Sequence, residues 1–372
     1  MGSFREVNAE QFSMRNLEEL RSRSPERTIR PRDRIVIFSD LHMGDGGRTD
    51  DFVHNGDLFA EVLRSYYAEE DYHLILNGDV EDLQRFPMKS IVRRWPHVYT
   101  AFAAVARRKG LTRIVGNHDI DLLEGGPSVS PLAMSGHERW PETFTDPVLE
   151  SLRLVHESGE LFLFHGHQTS RWYEKHNNVI RLILRYLANP LRIGNYTVAA
   201  DSRKRFRTER HVYAFATALK VAAVIGHTHR PLFESMSKSD SIQFEIERLC
   251  RKYPKSSKPG DIEERIGWLK AELLEIQAEA SRRPEPASLY REHLLVPSMF
   301  NSGCVLGKRG MTCLEIEDDH MRLVYWYDAG RKQKYLQYRT RNAEVLPGTD
   351  YHRTVIKQDS LPYIFSRIQL LA

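Results

Sequence analysis

The stretch that decides the fold is Arg34-Ile-Val-Ile-Phe-Ser-Asp40-Leu-His42, a short apolar run that ends in an aspartate and a histidine. Four β-branched or aromatic residues in a row, without the polar alternation of a half-exposed strand, indicate a β-strand buried on both faces. The stretch therefore predicts a buried strand that carries polar side chains at its carboxyl end.

The same pattern occurs four more times along the chain. The other runs are His73-Leu-Ile-Leu-Asn-Gly78-Asp79, Arg113-Ile-Val-Gly116-Asn117-His118-Asp119, Leu161-Phe-Leu-Phe-His165-Gly-His167 and Val221-Ala-Ala-Val-Ile-Gly226-His227-Thr-His229. Helix-like stretches at 54–69 and 96–109 separate the first three runs at the spacing of βαβ crossovers. Because sites in open α/β sheets form beyond the carboxyl ends of the strands, we expect the five polar clusters to converge.

The types of these side chains indicate a metal centre. Carboxylate, imidazole and amide oxygen without cysteine suit manganese, iron, zinc or magnesium. Asp79 has two carboxylate oxygens and can bridge two ions, and two ions about 4 Å apart make a clamp for in-line attack of water on phosphorus. The His-Glu-x-x-His helix of zinc proteases is absent from the sequence.

With these blocks in this order, residues 34–230 resemble the calcineurin-like metallophosphoesterase superfamily. The resemblance implies a four-layer αββα sandwich, in which two mixed sheets lie face to face, helices lie outside and helical insertions are added. It also implies hydrolysis of a phosphate ester or anhydride by metal-activated water, without a covalent intermediate. Asn301-Ser-Gly303 would mark the strand that closes the fold.

The resemblance also assigns a role to each residue of the blocks. The first of two divalent ions, manganese being our first choice, would be held by Asp40, His42, Asp79 and His229, and the second by Asp79, Asn117, His165 and His227. His118 would face the leaving oxygen, where an imidazolium can protonate a departing alkoxide. Asp82 would hold the tautomer of His118 and raise its pKa.

Three further residues near the blocks carry weaker signals. His167 either contacts substrate or caps its turn. Asp119 is predicted to be a structural hydrogen-bonding residue. Asp45 lies in a Gly/Asp-rich loop and either lines the pocket or belongs to an ordinary turn.

Composition places the 372-residue chain among ordinary globular proteins, with 41% hydrophobic and 28% charged residues and a net charge of +4. The three cysteines, Cys250, Cys304 and Cys313, form no close-spaced pair, which favours a reducing compartment. No apolar run reaches the ~18 residues of a membrane-spanning helix. We therefore predict a cytoplasmic protein.

Residues 168–220, here called the cap segment, are predicted to form a basic helical insertion between the fourth and fifth blocks. Residues 171–210 contain ten basic and three acidic residues, interleaved with apolar ones. The segment is either a solvated helical face or a binding surface for an anionic substrate, with Arg203, Lys204 and Arg205 as candidate contacts. A basic and apolar surface also allows peripheral membrane contact.

The position of the cap segment is similar to that of the helical cap in UDP-2,3-diacylglucosamine pyrophosphatases of the superfamily. Those enzymes typically have arginine where this chain has His118, and this departure leaves the lipid-nucleotide substrate as one candidate among several.

The remaining chain divides into a core and additions. Residues 31–330 form the phosphoesterase domain, completed by strands near 293–300, 311–317 and 320–327. Residues 236–292 form a helical hairpin that packs on its own core or on another subunit. Residues 1–30 are predicted to be flexible. Residues 331–372 form a C-terminal tail in which 361–371 can form a docking helix.

Four functions fit these observations. A phosphodiesterase or pyrophosphatase whose substrate has an apolar part ranks first, because the cap segment is both basic and apolar. A DNA or RNA nuclease ranks second, and a protein phosphatase third. The rival from outside the enzymes is a scaffold that binds partners through its hairpin, and the intact set of predicted ligands argues against it.

Overall fold

The computed structural model describes residues 2–124, 147–170, 202–233, 253–255, 259–282, 296–307, 310–331 and 343–372, together with Ile242, Ile246, Leu249 and Cys250. Its strands are β1 (Glu26–Thr28), β2 (Ile35–Phe38), β3 (His73–Asn77), β4 (Leu111–Ile114), β5 (Ser151–His156), β6 (Gly159–Phe164), β7 (Ala222–Ile225), β8 (Met299–Asn301), β9 (Met311–Glu317), β10 (His320–Asp328), β11 (Glu344–Val345) and β12 (Tyr351–Ser360).

The helices are α1 (Gly2–Arg23), α2 (Gly56–Val62), α3 (Met88–Arg94), α4 (Pro96–Arg108), α5 (Asp121–Glu124), α6 (Ser202–Ala218), α7 (Pro259–Arg282) and α8 (Leu361–Leu371). A π-helical turn, Leu63–Tyr67, extends α2. Among the described residues, no helix has both the length and the apolar character needed to cross a membrane.

The strands form two mixed sheets. The seven-stranded sheet has the order β11-β12-β10-β9-β2-β3-β4, and the five-stranded sheet has the order β1-β5-β6-β7-β8. Strands β2, β3 and β4 are parallel to one another, as are β6, β7 and β8. The five strands predicted from the apolar runs are therefore all present, three in one sheet and two in the other.

Three apolar clusters show how the layers stack. The inner cluster contains residues of both sheets, such as Ile37 of β2 and Leu163 of β6, so the sheets pack face to face. On the outer face of the seven-stranded sheet, Phe38 packs with residues of α2 and α4, such as Phe102. On the outer face of the five-stranded sheet, Phe162 packs with α1 and α6. The chain is thus the four-layer α/β sandwich that the resemblance implied.

The N-terminal segment differs from its prediction. Residues 1–30 were expected to be flexible, but residues 2–23 form α1, whose Leu17 and Leu20 are buried against β6 and α6. Strand β1 then pairs in parallel with β5 at the edge of the five-stranded sheet. Burial of apolar side chains offsets the entropy of ordering this segment.

The cap segment also differs from its prediction, as far as it is described. Helix α6 buries Val212 and Phe215 against the outer face of the five-stranded sheet, so residues 202–218 are a layer of the sandwich rather than a separate cover. Residues 171–201 lie outside the described residues. The break predicted near Asn189-Pro190 falls among them.

Two terminal additions are helical where described. Helix α7 lies in the predicted hairpin, and its Leu269 packs with Ile242 and Leu249 in a small cluster of its own. Apart from α7, residues 253–255, Ile242, Ile246, Leu249 and Cys250, residues 234–295 lie outside the described part. Helix α8 is the predicted docking helix, and its Ile364, Phe365 and Ile368 join the inner cluster between the sheets.

Candidate metal centre

The polar ends of β2, β3, β4, β6 and β7 meet at one edge of the sandwich. Three groups of ligand-type atoms lie there, each within 4.8 Å: a first cluster of Asp40, His42 and His229, a second cluster of Asp79, His165 and His227, and a third group of His42, Asp82 and His118. The first and second clusters each draw residues from both sheets. The predicted convergence of distant blocks is therefore a feature of the structure.

In the first cluster the imidazoles and carboxylates face one another. His229 Nε2 lies 3.1 Å from Asp40 Oδ1 and 3.1 Å from His42 Nε2. His42 Nε2 lies 3.6 Å from Asp79 Oδ2, which brings the second cluster within reach. Burial lowers the pKa of His42 well below its usual value, so this imidazole is neutral, the form that binds a metal.

In the second cluster His165 Nε2 lies 3.0 Å from Asp79 Oδ2. Its other ring nitrogen, Nδ1, lies 2.9 Å from the Asn77 carbonyl oxygen and donates to it, which directs Nε2 towards the cluster. Burial alone would lower the pKa of His165, but the carboxylates of Asp79 and Asp40 raise it to about 10. A divalent cation beside Nε2 would therefore replace the positive charge of this proton and neutralise the same two carboxylates.

Asn117 supplies a further test of whether these residues fit a metal. Its side chain is buried, and Oδ1 has no hydrogen-bond partner among the described residues. A buried amide oxygen without a donor costs free energy, which coordination to a cation would recover. The next residue, His118, donates its backbone N–H to Asp79 Oδ1 at 2.8 Å, so the Asn117 turn is fastened to the shared carboxylate. The donor set and this oxygen both fit divalent ions.

The backbone that carries these side chains is unusual. Asp40, His42, Asp79, His227 and His229 all have positive φ, between 47° and 62°. Residues other than glycine rarely adopt this left-handed conformation, and it persists where surrounding contacts enforce it. Such residues are concentrated at functional sites, and here they aim five of the seven predicted ligands at one place.

Two glycines let the loops approach each other closely. A Cβ atom at Gly116 would come within 2.1 Å of Asp79 Oδ1, and one at Gly226 within 2.5 Å of Asp40 Oδ2. Both distances are far below van der Waals contact. The glycines of the third and fifth blocks are therefore needed for the carboxylates of the first and second blocks to sit where they do.

His118 and Asp82 form a pair beside the first cluster. His118 Nδ1 lies 2.8 Å from Asp82 Oδ1, and the His118 ring lies 4.5 Å from that of His42. Burial alone would lower the pKa of His118, but Asp79 and Asp82 raise it to about 9. The imidazole is thus protonated at neutral pH, with Nδ1–H donated to Asp82.

The predicted substrate-binding residues are less closely associated with the two clusters than the predicted ligands are. His167 is buried next to the second cluster, 5.6 Å from the His165 ring between centroids, and burial lowers its pKa to about 3. Lys204 is exposed on α6 and Arg205 is half-buried, whereas the side chain of Arg203 lies outside the described residues. None of these four belongs to the two clusters of ligand atoms.

Of the residues that support the loops of the site, Asp119 was predicted from the sequence, whereas Glu209 and Ser13 were not. Asp119, predicted to be structural, accepts hydrogen bonds from the N–H groups of Gly116 at 2.6 Å and Val80 at 2.8 Å, and so joins two loops of the site. Glu209 and Ser13 contact other loops of the site but lie outside every motif. Neither carried a local sequence signal, because each acts on a loop remote from it in the chain.

Comparison with known proteins agrees with this geometry. The sequence profile of the calcineurin-like phosphoesterase family matches residues 33–231. No curated protein sequence matches the chain.

Solved structures give distant similarities. A Vps29 single mutant from Entamoeba histolytica is 10% identical, covers 80% of this chain and 93% of its own, and has a TM-score of 0.31. A predicted phosphoesterase from Streptococcus pneumoniae is 11% identical, with coverages of 87% and 97% and a TM-score of 0.25. A dimetal phosphatase from Danio rerio is 10% identical, with coverages of 79% and 96% and a TM-score of 0.35.

The profile match spans more than half of the chain and includes all five blocks. Side chains of four blocks form the two clusters, and His118 of the remaining block lies beside His42 of the first cluster. This chain belongs to the calcineurin-like phosphoesterase family and is a metal-dependent phosphoester hydrolase.

Proposed function

We propose that the chain is a dinuclear hydrolase of phosphodiesters or pyrophosphates. One observation carries the proposal: Asp79 Oδ2 lies 3.0 Å from His165 Nε2 of the second cluster and 3.6 Å from His42 Nε2 of the first. A carboxylate between two imidazole clusters is in the position to bridge two cations. Asp40, His42, Asp79 and His229 would hold one ion, and Asp79, Asn117, His165 and His227 the other.

Two divalent ions held in this way would supply an activated water and neutralise the phosphoryl oxygens. The protein's own residues supply the proton for the leaving group. His118 donates Nδ1–H to Asp82, which leaves Nε2–H for the departing oxygen. Asp82 keeps the ring in this orientation and favours its protonated form, as an acid catalyst requires.

The substrate preference rests on α6. Arg205 lies one helical turn, about 6 Å along the axis, before Glu209, whose carboxylate contacts the loop of His227 and His229. Lys204, Arg207 and Arg210 of the same helix are exposed. A basic helix that contacts a ligand-bearing loop favours a substrate with a second charged group beyond the reacting phosphate. We therefore propose that Arg203, Lys204 and Arg205 contact the non-reacting part.

The test is a substrate screen on protein incubated with Mn²⁺, which is our proposal for the native metal. Bis(p-nitrophenyl) phosphate, p-nitrophenyl phosphate, a nucleotide-sugar pyrophosphate and single-stranded DNA represent the candidate classes, and Asp79→Ala gives the background. We expect the diester or the pyrophosphate to have the highest kcat/KM. Activity confined to the monoester would contradict the substrate class, and two bound ions without any hydrolysis would contradict the function.

A nuclease is the second candidate, favoured by the basic composition of residues 171–210. Salt dependence separates the two, because binding to a polyphosphate backbone falls steeply as salt rises. For a small pyrophosphate, replacing Arg203, Lys204 and Arg205 by alanine should lower kcat/KM by about 1–3 kcal/mol in transition-state terms, with a weak salt dependence. For a nuclease the same variant should show a shallower salt slope.

Four other predictions, on location and on binding partners, remain untested predictions. A cytoplasmic location rests on cysteine usage. A homo-oligomer formed through residues 236–292 is compatible with Trp268 of α7, whose side chain is 63% exposed. Peripheral membrane contact and nucleic-acid binding both rest on the charge of the cap segment.

A further inference from the structure

The loop between β7 and Leu232 carries two predicted ligands, His227 and His229, with Thr228 between them. Both histidines have left-handed backbones, with φ of 62° and 52°. Two such residues in a three-residue stretch are not stable by local preference, so neighbouring groups must hold the loop in shape.

Glu209 of α6 is the group that reaches this loop from outside the sheet. The residue is buried, with 1% of its surface exposed. Oε1 accepts a hydrogen bond from Thr228 Oγ1 at 2.9 Å and one from Arg230 Nε at 3.1 Å, and Oε2 accepts from Arg230 Nη2. A single carboxylate therefore fastens residues 228 and 230, on either side of His229.

Asn301 at the end of β8 completes the support from the opposite side. Its Nδ2 donates to Thr228 Oγ1 at 2.9 Å and to the Gly226 carbonyl oxygen at 2.8 Å. Because the Thr228 hydroxyl accepts from Asn301, its own proton is directed to Glu209. The Thr228 side chain is thus fixed at both of its hydrogen-bonding positions, and the flanking histidines turn towards the clusters.

We propose that Glu209 is a positioning residue for the metal centre, which acts through Thr228 and Arg230 on His227 and His229. The inference rests on the ligand roles in the proposed function. It adds that helix α6, outside the metal-binding blocks, sets the affinity of the centre for metal. The loop supplies His229 to one cluster and His227 to the other, so loosening it weakens both.

The experiment measures manganese binding without substrate, from the loss of the paramagnetic resonance signal of free Mn²⁺. Glu209→Gln keeps the size of the side chain but loses its charge, and presents an amide NH₂ in place of one carboxylate oxygen. We expect the Kd for Mn²⁺ to rise about tenfold to a hundredfold, the usual effect of removing a group that orients metal ligands. Activity at limiting Mn²⁺ should fall in parallel and recover at high Mn²⁺.

Glu315→Gln is the matched control. Glu315 is a buried glutamate paired with Arg353, and it also accepts a hydrogen bond from Tyr67 on the helix-covered face of the seven-stranded sheet. This variant should lower thermal stability without changing the Kd for Mn²⁺. If Glu315→Gln weakens metal binding as much as Glu209→Gln, the effect is general destabilisation and the proposal fails.

A second pair of variants decides the matter if Glu209→Gln does not fold. Thr228→Val keeps the volume and removes the hydroxyl, whereas Thr228→Ser retains the hydroxyl. We expect weaker Mn²⁺ binding in the first and near-normal binding in the second. Wild-type affinity in Thr228→Val would overturn the proposal. Because the readout is metal binding, a failure here is distinct from failure of the proposed reaction, which would show as bound metal without turnover.

Discussion

The loops that carry the predicted metal ligands in the two sheets are held in place by different means. In the seven-stranded half, the loops after β2, β3 and β4 support one another: Asp119 accepts from Gly116 and Val80, and His42 donates its N–H to the Asp79 carbonyl oxygen at 2.9 Å. In the five-stranded half, helices outside the sheet contact the loops. The first half is braced by its own motif residues, whereas the second is braced by additions to the core as well as by Asp40 and Asn301.

Helices α1 and α6 provide the braces of the five-stranded half. Ser13 Oγ donates to the Thr169 carbonyl oxygen at 2.6 Å, and Asn16 Nδ2 donates to that of Gln168 at 2.8 Å, so α1 holds the loop after His165. Ser13 also contacts His211 Nδ1 of α6 at 2.8 Å. Half of the centre therefore depends on segments that the sequence motifs do not include.

The largest effect is expected where the two halves share a ligand. Asp79→Ala removes the carboxylate between the clusters, so both ions should be lost and hydrolysis of every substrate abolished. Elemental analysis should find about two ions per chain in the wild type and clearly fewer in the variant. Asp318→Ala is the control, since Asp318 also has a left-handed backbone, with φ of 50°, but is exposed and belongs to neither cluster. Full metal content in Asp79→Ala would refute the bridging role.

His118 of the seven-stranded half is predicted to take part in catalysis without binding metal. His118→Ala should keep both ions and slow turnover about a hundredfold or more, because the leaving oxygen loses its proton donor. The loss should be greatest for alkyl leaving groups and smallest for nitrophenol, as measured by kcat on matched diesters. His97→Ala removes a surface histidine paired with Asp57 and should have no effect on turnover. An equal loss for all leaving groups would assign His118 a positioning role instead.

Removing the hydrogen bonds that α1 makes to the loop after His165 should loosen the five-stranded half of the site more than the seven-stranded half. Ser13→Ala combined with Asn16→Ala deletes two hydrogen bonds to the 167–169 loop and should lower the free energy of unfolding by about 1–3 kcal/mol. Amide hydrogen exchange should rise at residues 165–169 and stay unchanged at 115–119. Arg15→Ala with Glu18→Ala, both exposed on α1, is the control. Equal exchange increases in both loops would contradict the separate bracing.

The smallest expected effect is a pH dependence of the packing between α1 and α6. Burial lowers the pKa of His211, while Glu10 opposes this and Arg207 and Arg210 add to it. A histidine with a lowered pKa favours the docked state when neutral, so its contribution is complete above about pH 6.5 and is lost as the pH falls through that value. The protection factors of the α1 amides, which correct observed exchange rates for the pH dependence of intrinsic exchange, should therefore be lower at pH 5.5 than at pH 7.5. His211→Asn, whose amide can replace Nδ1–H, should remove this pH difference.

The two halves also differ in how well the sequence predicts them. The five strands and the loops that follow them were predictable, because each apolar run ends directly in its polar residues. Helix α1 was not, although its buried positions 13, 17 and 20, with position 24 directly after its end, have helical spacing. Two of them, Ser13 and Ser24, are serines that make hydrogen bonds, so the apolar stripe is too short to stand out.

Glu209 was missed for a different reason. In the sequence it is one of three acidic residues in a strongly basic segment, and charge counting treats it as a small correction. Its partners Thr228 and Arg230 lie about twenty residues further along, beyond any local pattern. Only the packing of α6 on the five-stranded sheet makes this carboxylate part of the centre.

The left-handed backbones of Asp40, His42, Asp79, His227 and His229 also constrain how this centre can change in evolution. Asparagine and glycine adopt this conformation at low cost, whereas β-branched residues do not. A descendant that no longer needs its metals should accept asparagine or glycine at these positions well before valine or isoleucine. Such a lineage would keep the shape of its loops after the chemistry had gone, and substitutions to asparagine there would be the trace of a lost enzyme.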